Sequence, residues 1–166
     1  MIKLDISHLS WQLNKSFNIS RGSKNTAETI EVKLTENKFV GIGECVPYGR
    51  YNETLENVQK EILELKDGIE NLEINKKNLD QFINNGAARN AIDCALWDLE
   101  SKKKKETVWS MLDIQKPQEI PSSYTVVLDD PDKMIEDIYD HREFPTIKIK
   151  VDNKNLDRIL TNARES

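Results

Sequence analysis

The chain has 166 residues, two cysteines, and 24 Lys and Arg against 29 Asp and Glu, a formal net charge of −5. That length suits one domain, or one domain and a piece of another, and excludes a complete (β/α)₈ barrel of about 250 residues. A hydrophobic fraction of 37% with 32% charged residues argues for a folded, polar chain, with no run long enough to span a membrane. The acidic balance gives no attraction to nucleic acid or to an anionic membrane, so neither is expected as a partner. Cys45 and Cys94 are far apart and form no CxxC pair, and the start, Met1-Ile-Lys-Leu-Asp5, reads as a strand rather than a secretory signal. A reduced, cytoplasmic setting is the expectation.

Ile2, Leu4 and Ile6 alternate with polar residues and predict a half-buried strand. A polar loop is expected over Ser20–Thr26, with Gly22 and Asn25 supplying the turn. Ile30, Val32 and Leu34 predict a second strand, and Phe39–Val46 a third after a tight Asn37-Lys38 connection. Three strands with short links predict an antiparallel meander. Thr54 is a helix N-cap with Glu56 in the first turn, and Leu55, Val58, Ile62 and Leu65 form the apolar stripe, with Gly68 as the stop. A short helix is expected from Lys76 to Ile83. From Gly86, Ala87, Ala88, Ala91, Ile92, Ala95, Leu96 and Leu99 recur at helical spacing, widened by Cys94 and Trp97. Lys102–Lys105 read as a solvated helix end favoured by the dipole. A short helix at Val108–Leu112 and prolines at 117 and 121 end the first domain, set at residues 1–118.

Beyond Pro121 the pattern becomes β-α-β-α over residues 119–166: strand Tyr124–Leu128, helix from Asp130-Pro131, strand Pro145–Val151, helix Asn155–Arg164. Two parallel strands with a right-handed crossover follow. Strand period places Lys148 and Lys150 on one face, with Ile147, Ile149 and Val151 on the helix-covered face. The pair is either a solvent-facing stripe or the lining of a site. In the second case burial and the neighbouring cation lower a lysine pKa and suit it to remove a proton from a carbon acid. Arg21, in its polar loop, could clamp a carboxylate, and Arg50 and Tyr51 occupy a second loop. Glu44 reads as an acid catalyst or, more simply, as a tie to a turn or helix end. Asp93 and Asp98 do not share a helix face, and His8 and His141 are isolated, so no metal spacing exists. Nucleotide-binding and nucleophile-elbow motifs are absent.

Taken together, Phe17–Ser23, Ala27-Glu28, Gly41–Tyr48, Arg50–Thr54, Gly86–Leu99 and Ile147–Lys150 occur in the order in which they stand in the dipeptide epimerases of the enolase superfamily. The chain resembles the N-terminal part of that family, above all the L-Ala-D/L-Glu epimerases. The resemblance implies an α+β capping domain, a three-stranded antiparallel meander plus helices, followed by the first two β/α units of an enolase-type barrel. It implies reversible epimerisation of a small dipeptide, by lysine-mediated removal of the α-proton with a Mg-stabilised enediolate. Lys150 then corresponds to the acid/base on one face, and Lys148 to the lysine that holds the substrate carboxylate and depresses its neighbour's pKa. Thr125 lines the pocket, Arg21 reads the acidic side chain, and Arg50 and Tyr51 close over the site. The family's Mg ligands and opposite-face lysine belong to later strands, so the barrel here is incomplete and no metal ligand is assigned. The expectation is therefore that this chain alone is inactive, and poorly soluble or self-associating. Beside the reading as an epimerase-family protein, the alternatives are a non-catalytic remnant, the product of a frameshifted, truncated or incompletely sequenced gene, or one half of a split enzyme completed by a second polypeptide. Within the superfamily the alternative is a muconate cycloisomerase-like or o-succinylbenzoate synthase-like member.

Overall fold

The structure is a computed structural model that describes residues 1–19, 22–152 and 156–165. It divides into two compact units, one of Met1–Trp11 with Ala27–Pro117, the other of Gln12–Thr26 with Gln118–Ser166.

The first unit is built on an antiparallel sheet of order β1 (Lys3–Ile19), β2 (Gly22–Glu36) and β3 (Phe39–Cys45), of which the far ends of β1 and β2, within residues 12–26, belong to the second unit. Register pairs Ile30 with Cys45, Val32 with Gly43 and Leu34 with Gly41. The alternation read from the sequence is the packing: Ile2, Leu4, Ile30, Val32 and Leu34 are all buried in one core. Each such side chain contributes roughly 1.5–3 kcal/mol by leaving water. The meander is longer than expected. Residues 22–26 belong to β2, not to a loop. Ser16 Oγ donates to Asn25 Oδ1 and Ser23 Oγ to Asn18 Oδ1, each at 2.6 Å, across the two strands. Most residues of this stretch are exposed on both faces, so no apolar alternation marked it as strand.

Helix α1 (Leu55–Glu64) starts as expected: Thr54 and Asn57 form a reciprocal capping box, and Val58 and Ile62 are buried. Gly68 does not stop it. The helix ends at Glu64 and a short α2 (Lys66–Glu70) follows, with Gly68 inside it. A Cβ on Gly68 would stand 2.7 Å from Ile74 Cδ1, so the glycine leaves room for the buried Ile74 side chain. The helix expected over 76–83 is only a 3₁₀ turn, Leu79–Gln81. Asn78 and Asn75 side chains capture local backbone groups there, competing with helical bonds.

Helix α3 (Ala87–Lys104) buries Ala88, Ala91, Ile92, Ala95, Leu96 and Leu99. It is narrower in its buried face than expected, since Cys94 is exposed, and both cysteines are free. It lies directly on β3, where Cβ atoms on Gly41 and Gly43 would meet helix backbone at 2.2 and 1.9 Å. The lysine run is fastened: Lys102 Nζ donates to Val40 O at 2.8 Å and to Asp98 at 2.6 Å, and Lys103 pairs with Glu36. Helix α4 (Val108–Met111) closes the unit.

In the second unit β4 (Ser123–Val126) and β5 (Thr146–Ile149) pair in parallel, with α5 (Pro131–Asp140) between them and α6 (Leu156–Glu165) after. Asp130 caps α5 by accepting from Asp132 N, with proline in the first turn as read. Val126, Met134, Ile138 and Ile159 form its core, and Tyr124, Leu128, Ile147, Ile149 and Val151 pack against it. Leu128 has left the strand. Asn155, the expected start of α6, lies outside the described residues.

Candidate functional site

Parallel pairing of β4 and β5 decides which side chains meet. Tyr124 stands opposite Ile147 and Val126 opposite Ile149, and these turn toward the helix-covered core. Thr125 and Lys148 are direct cross-strand partners, and by the strand's period of two they lie on the other face. Lys150 N donates to Val126 O at 2.9 Å, which carries the ladder one residue past β5 and puts Lys150 on the Lys148 face. The two lysines are roughly 6–7 Å apart along the strand. Lys148 is exposed, while Thr125 and Lys150 are partly buried. This face can present two cations and a hydroxyl to one anionic ligand at the C-terminal end of a parallel pair.

The other expected residues are distributed differently. Arg50 and Tyr51 lie in the first unit, in a 3₁₀ turn, Gly49–Tyr51, that follows β3. Both are exposed, with the Tyr51 ring tilted against Tyr48 at 5.7 Å between centroids. Tyr51 also borders a concavity of about 360 Å³ lined further by Asn57, Glu61, Phe82 and Asn85. Arg21 lies outside the described residues.

Glu44 is a tie. Its Oε1 accepts from Thr29 Oγ1 at 2.6 Å and from Trp11 Nε1 at 3.1 Å, joining all three strands. The helix end is held instead by Glu53, which the sequence did not single out. Glu53 Oε1 accepts from Ala87 N at 2.7 Å and Oε2 from Tyr48 N at 3.0 Å, so a carboxylate sits at the positive end of α3. Asp98 accepts from Ile42 N at 2.8 Å on the free side of β3. His8 pairs with Glu28 at 2.6 Å, and His141 stacks on Tyr124. Among the described residues no group of three or more His, Cys, Asp or Glu could hold a metal ion. None of the described helices is long and apolar enough to cross a membrane.

One cluster was invisible in the sequence: Lys15 of β1 meets Tyr124 of β4 and Asp137 of α5. No local pattern announces it, because its members are scattered over three elements.

Comparison with known proteins gives this arrangement a family. Residues 1–113 match the mandelate racemase/muconate lactonizing enzyme N-terminal domain. The L-Ala-D/L-Glu epimerase of Escherichia coli is 36% identical over 125 residues, covering 75% of this chain and 39% of that protein. An enolase family member from Agrobacterium tumefaciens with homology to dipeptide epimerases, solved with sodium and L-Ala-L-Glu, superposes with a TM-score of 0.91 at 34% identity. That match covers 100% of this chain and 52% of the other. A dipeptide epimerase from Cytophaga hutchinsonii, solved with Mg and D-Ala-L-Val, gives a TM-score of 0.80 at 25% identity, over 99% of this chain and 48% of that one. The chain thus spans about half, or less, of the length of these relatives. It belongs to the mandelate racemase/muconate lactonizing enzyme family of the enolase superfamily, of which it carries the N-terminal domain.

Proposed function

We propose that this chain supplies one half of a dipeptide epimerase site, acting on L-Ala-D/L-Glu-type dipeptides. Residues 1–118 form the capping domain and 119–166 the start of the barrel domain. Lys150 removes and returns the substrate α-proton on one face, and Lys148 holds the substrate carboxylate and lowers its neighbour's pKa. Thr125 lines the pocket beside them. Arg21 pairs with the acidic side chain of the dipeptide, and Arg50 and Tyr51 contact the substrate from the cap.

The observation that carries this reading is the shared face of Thr125, Lys148 and Lys150, set by the β4–β5 register. A point charge on a stem that shifts its pKa readily when crowded or buried is suited to carbon-acid chemistry. In the family Mg supplies the stabilisation of the enediolate, and a relative is solved with it. The described residues do not fit a metal site, so no step in this chain is assigned to the ion. The 166 residues on their own are read as inactive.

The test is proton NMR in D₂O with Mg²⁺ and L-Ala-L-Glu. The 166-residue chain alone should show no α-proton exchange above a protein-free control. A chimera in which this chain replaces the matching half of the Agrobacterium relative should exchange the α-proton, and Lys150→Ala should abolish exchange on one stereochemical face. A folded chimera that exchanges no dipeptide proton, or an unchanged Lys150→Ala variant, overturns the reading.

A further inference from the structure

Lys15 Nζ donates to both carboxylate oxygens of Asp137, at 2.9 and 2.8 Å, and to Tyr124 Oη at 2.7 Å. Tyr124 Oη donates in turn to Asp137 Oδ1 at 3.0 Å. Three elements, β1, β4 and α5, thereby satisfy one another's polar groups in a closed cycle. Asp137 is largely covered, at 19% side-chain exposure, while Lys15 is half exposed. The Tyr124 ring also stacks on the His141 ring, parallel to within 6° at 3.7 Å. Three residues further along β1, Asn18 O accepts from Leu128 N at 3.0 Å, just past the C-terminal end of β4. The distal hairpin is therefore tied at two points, and residues 12–26 belong to the same compact unit as 118–166.

A lone exposed ion pair would contribute little. This is a network in which one ammonium serves both oxygens of a covered carboxylate and a phenol, and such networks fix geometry more than separate pairs do. Partial burial lowers the Lys15 pKa, but the hydrogen bonds to Asp137 and then Tyr124 raise it further, leaving it above 10.5. The ammonium therefore stays charged throughout the neutral range.

We propose that Lys15 is a positioning residue: its grip on Asp137 and Tyr124 seats the distal β1–β2 hairpin along β4, and so sets the hairpin's part in substrate binding. The functional half rests on the epimerase reading; the docking half does not. Nothing in the proposal requires Lys15 to touch the substrate.

The experiment has two arms. In the first, amide hydrogen exchange is followed on the 166-residue chain. Lys15→Met should speed exchange in 12–19 and 22–26 by about tenfold, with Ile30, Val32 and Leu34 unchanged. Lys15→Arg should restore protection, and Lys3→Met, which removes an exposed pair with Asp5, should have no effect. Unchanged exchange at the hairpin, or an equal rise in the core strands, overturns the docking role. In the second arm, Lys15→Met in the chimera should raise KM for L-Ala-L-Glu about threefold or more with kcat unchanged, and Lys15→Arg should reverse it. An unchanged KM overturns the functional half. A wild-type chimera without dipeptide activity sinks the epimerase reading and that half together, and the exchange arm still decides the docking.

Discussion

Gly43 of β3 lies so close under Ala91 of α3 that a Cβ on the glycine would stand 1.9 Å from the Ala91 carbonyl oxygen and 2.7 Å from Ala95 N. Backbone meets backbone here, so no side chain can swing aside. Gly43→Ala must lift the helix from the strand and open the core beneath Ile92 and Leu99. The expected loss is about 3 kcal/mol or more, read by urea denaturation. Gly49→Ala, with nothing within 4 Å, should change stability by no more than about 0.5 kcal/mol. Comparable losses at both positions would remove the close-approach argument.

Glu53 holds the start of the same helix from outside it, through Ala87 N and Tyr48 N. Glu53→Ala should cost about 1–2 kcal/mol, the range of a lost helix cap. Glu53→Gln keeps one acceptor and should fall between the two. Thermal melts of the three proteins check the order, and an unchanged Glu53→Ala midpoint would show that water replaces the carboxylate without penalty.

Cys45 is buried in the sheet core. Burial first, and then the charge of Glu53, push its thiol from 9.0 up to about 11. The folded state thus holds a proton that the unfolded state releases earlier. Its contribution to stability is complete below pH 9 and falls as pH rises from 9 to about 11. The loss is at most about 2–3 kcal/mol, at about 1.4 kcal/mol per unit. Cys45→Ala should flatten that part of the stability–pH curve; a slope identical to the parent's would assign it to other groups.

Arg21 is proposed to read an acidic side chain. In the chimera, Arg21→Ala should raise KM for L-Ala-L-Glu about tenfold or more while affecting L-Ala-L-Ala little. Equal effects on the two dipeptides would take Arg21 out of the specificity role.

The side chains of Val126, Ile147 and Ile149 are packed with α5 and α6, so any self-association is expected through backbone. Among the described residues β5 pairs only with β4, which leaves hydrogen-bonding groups open along its far side. Sedimentation velocity on the 166-residue chain should show association that grows with concentration. A single monomer boundary across a hundredfold range would argue against an adhesive edge.

The sequence by itself determined what depends on one segment's own pattern. Ile30, Val32 and Leu34 declared a sheet face, Thr54 a helix start, Ala88 to Leu99 a buried helix, and Lys148 with Lys150 a shared face. Burial periodicity and capping are local, and a single segment carries them in full. The hairpin's length was hidden because residues such as Ser16, Ser23 and Asn25 are polar and find partners only across the strands. Glu53 met Ala87 and Lys15 met Asp137 only in the folded chain, at separations of 34 and 122 residues. Tertiary structure decided those contacts because packing, not pattern, brings distant carboxylates to the donors that need them.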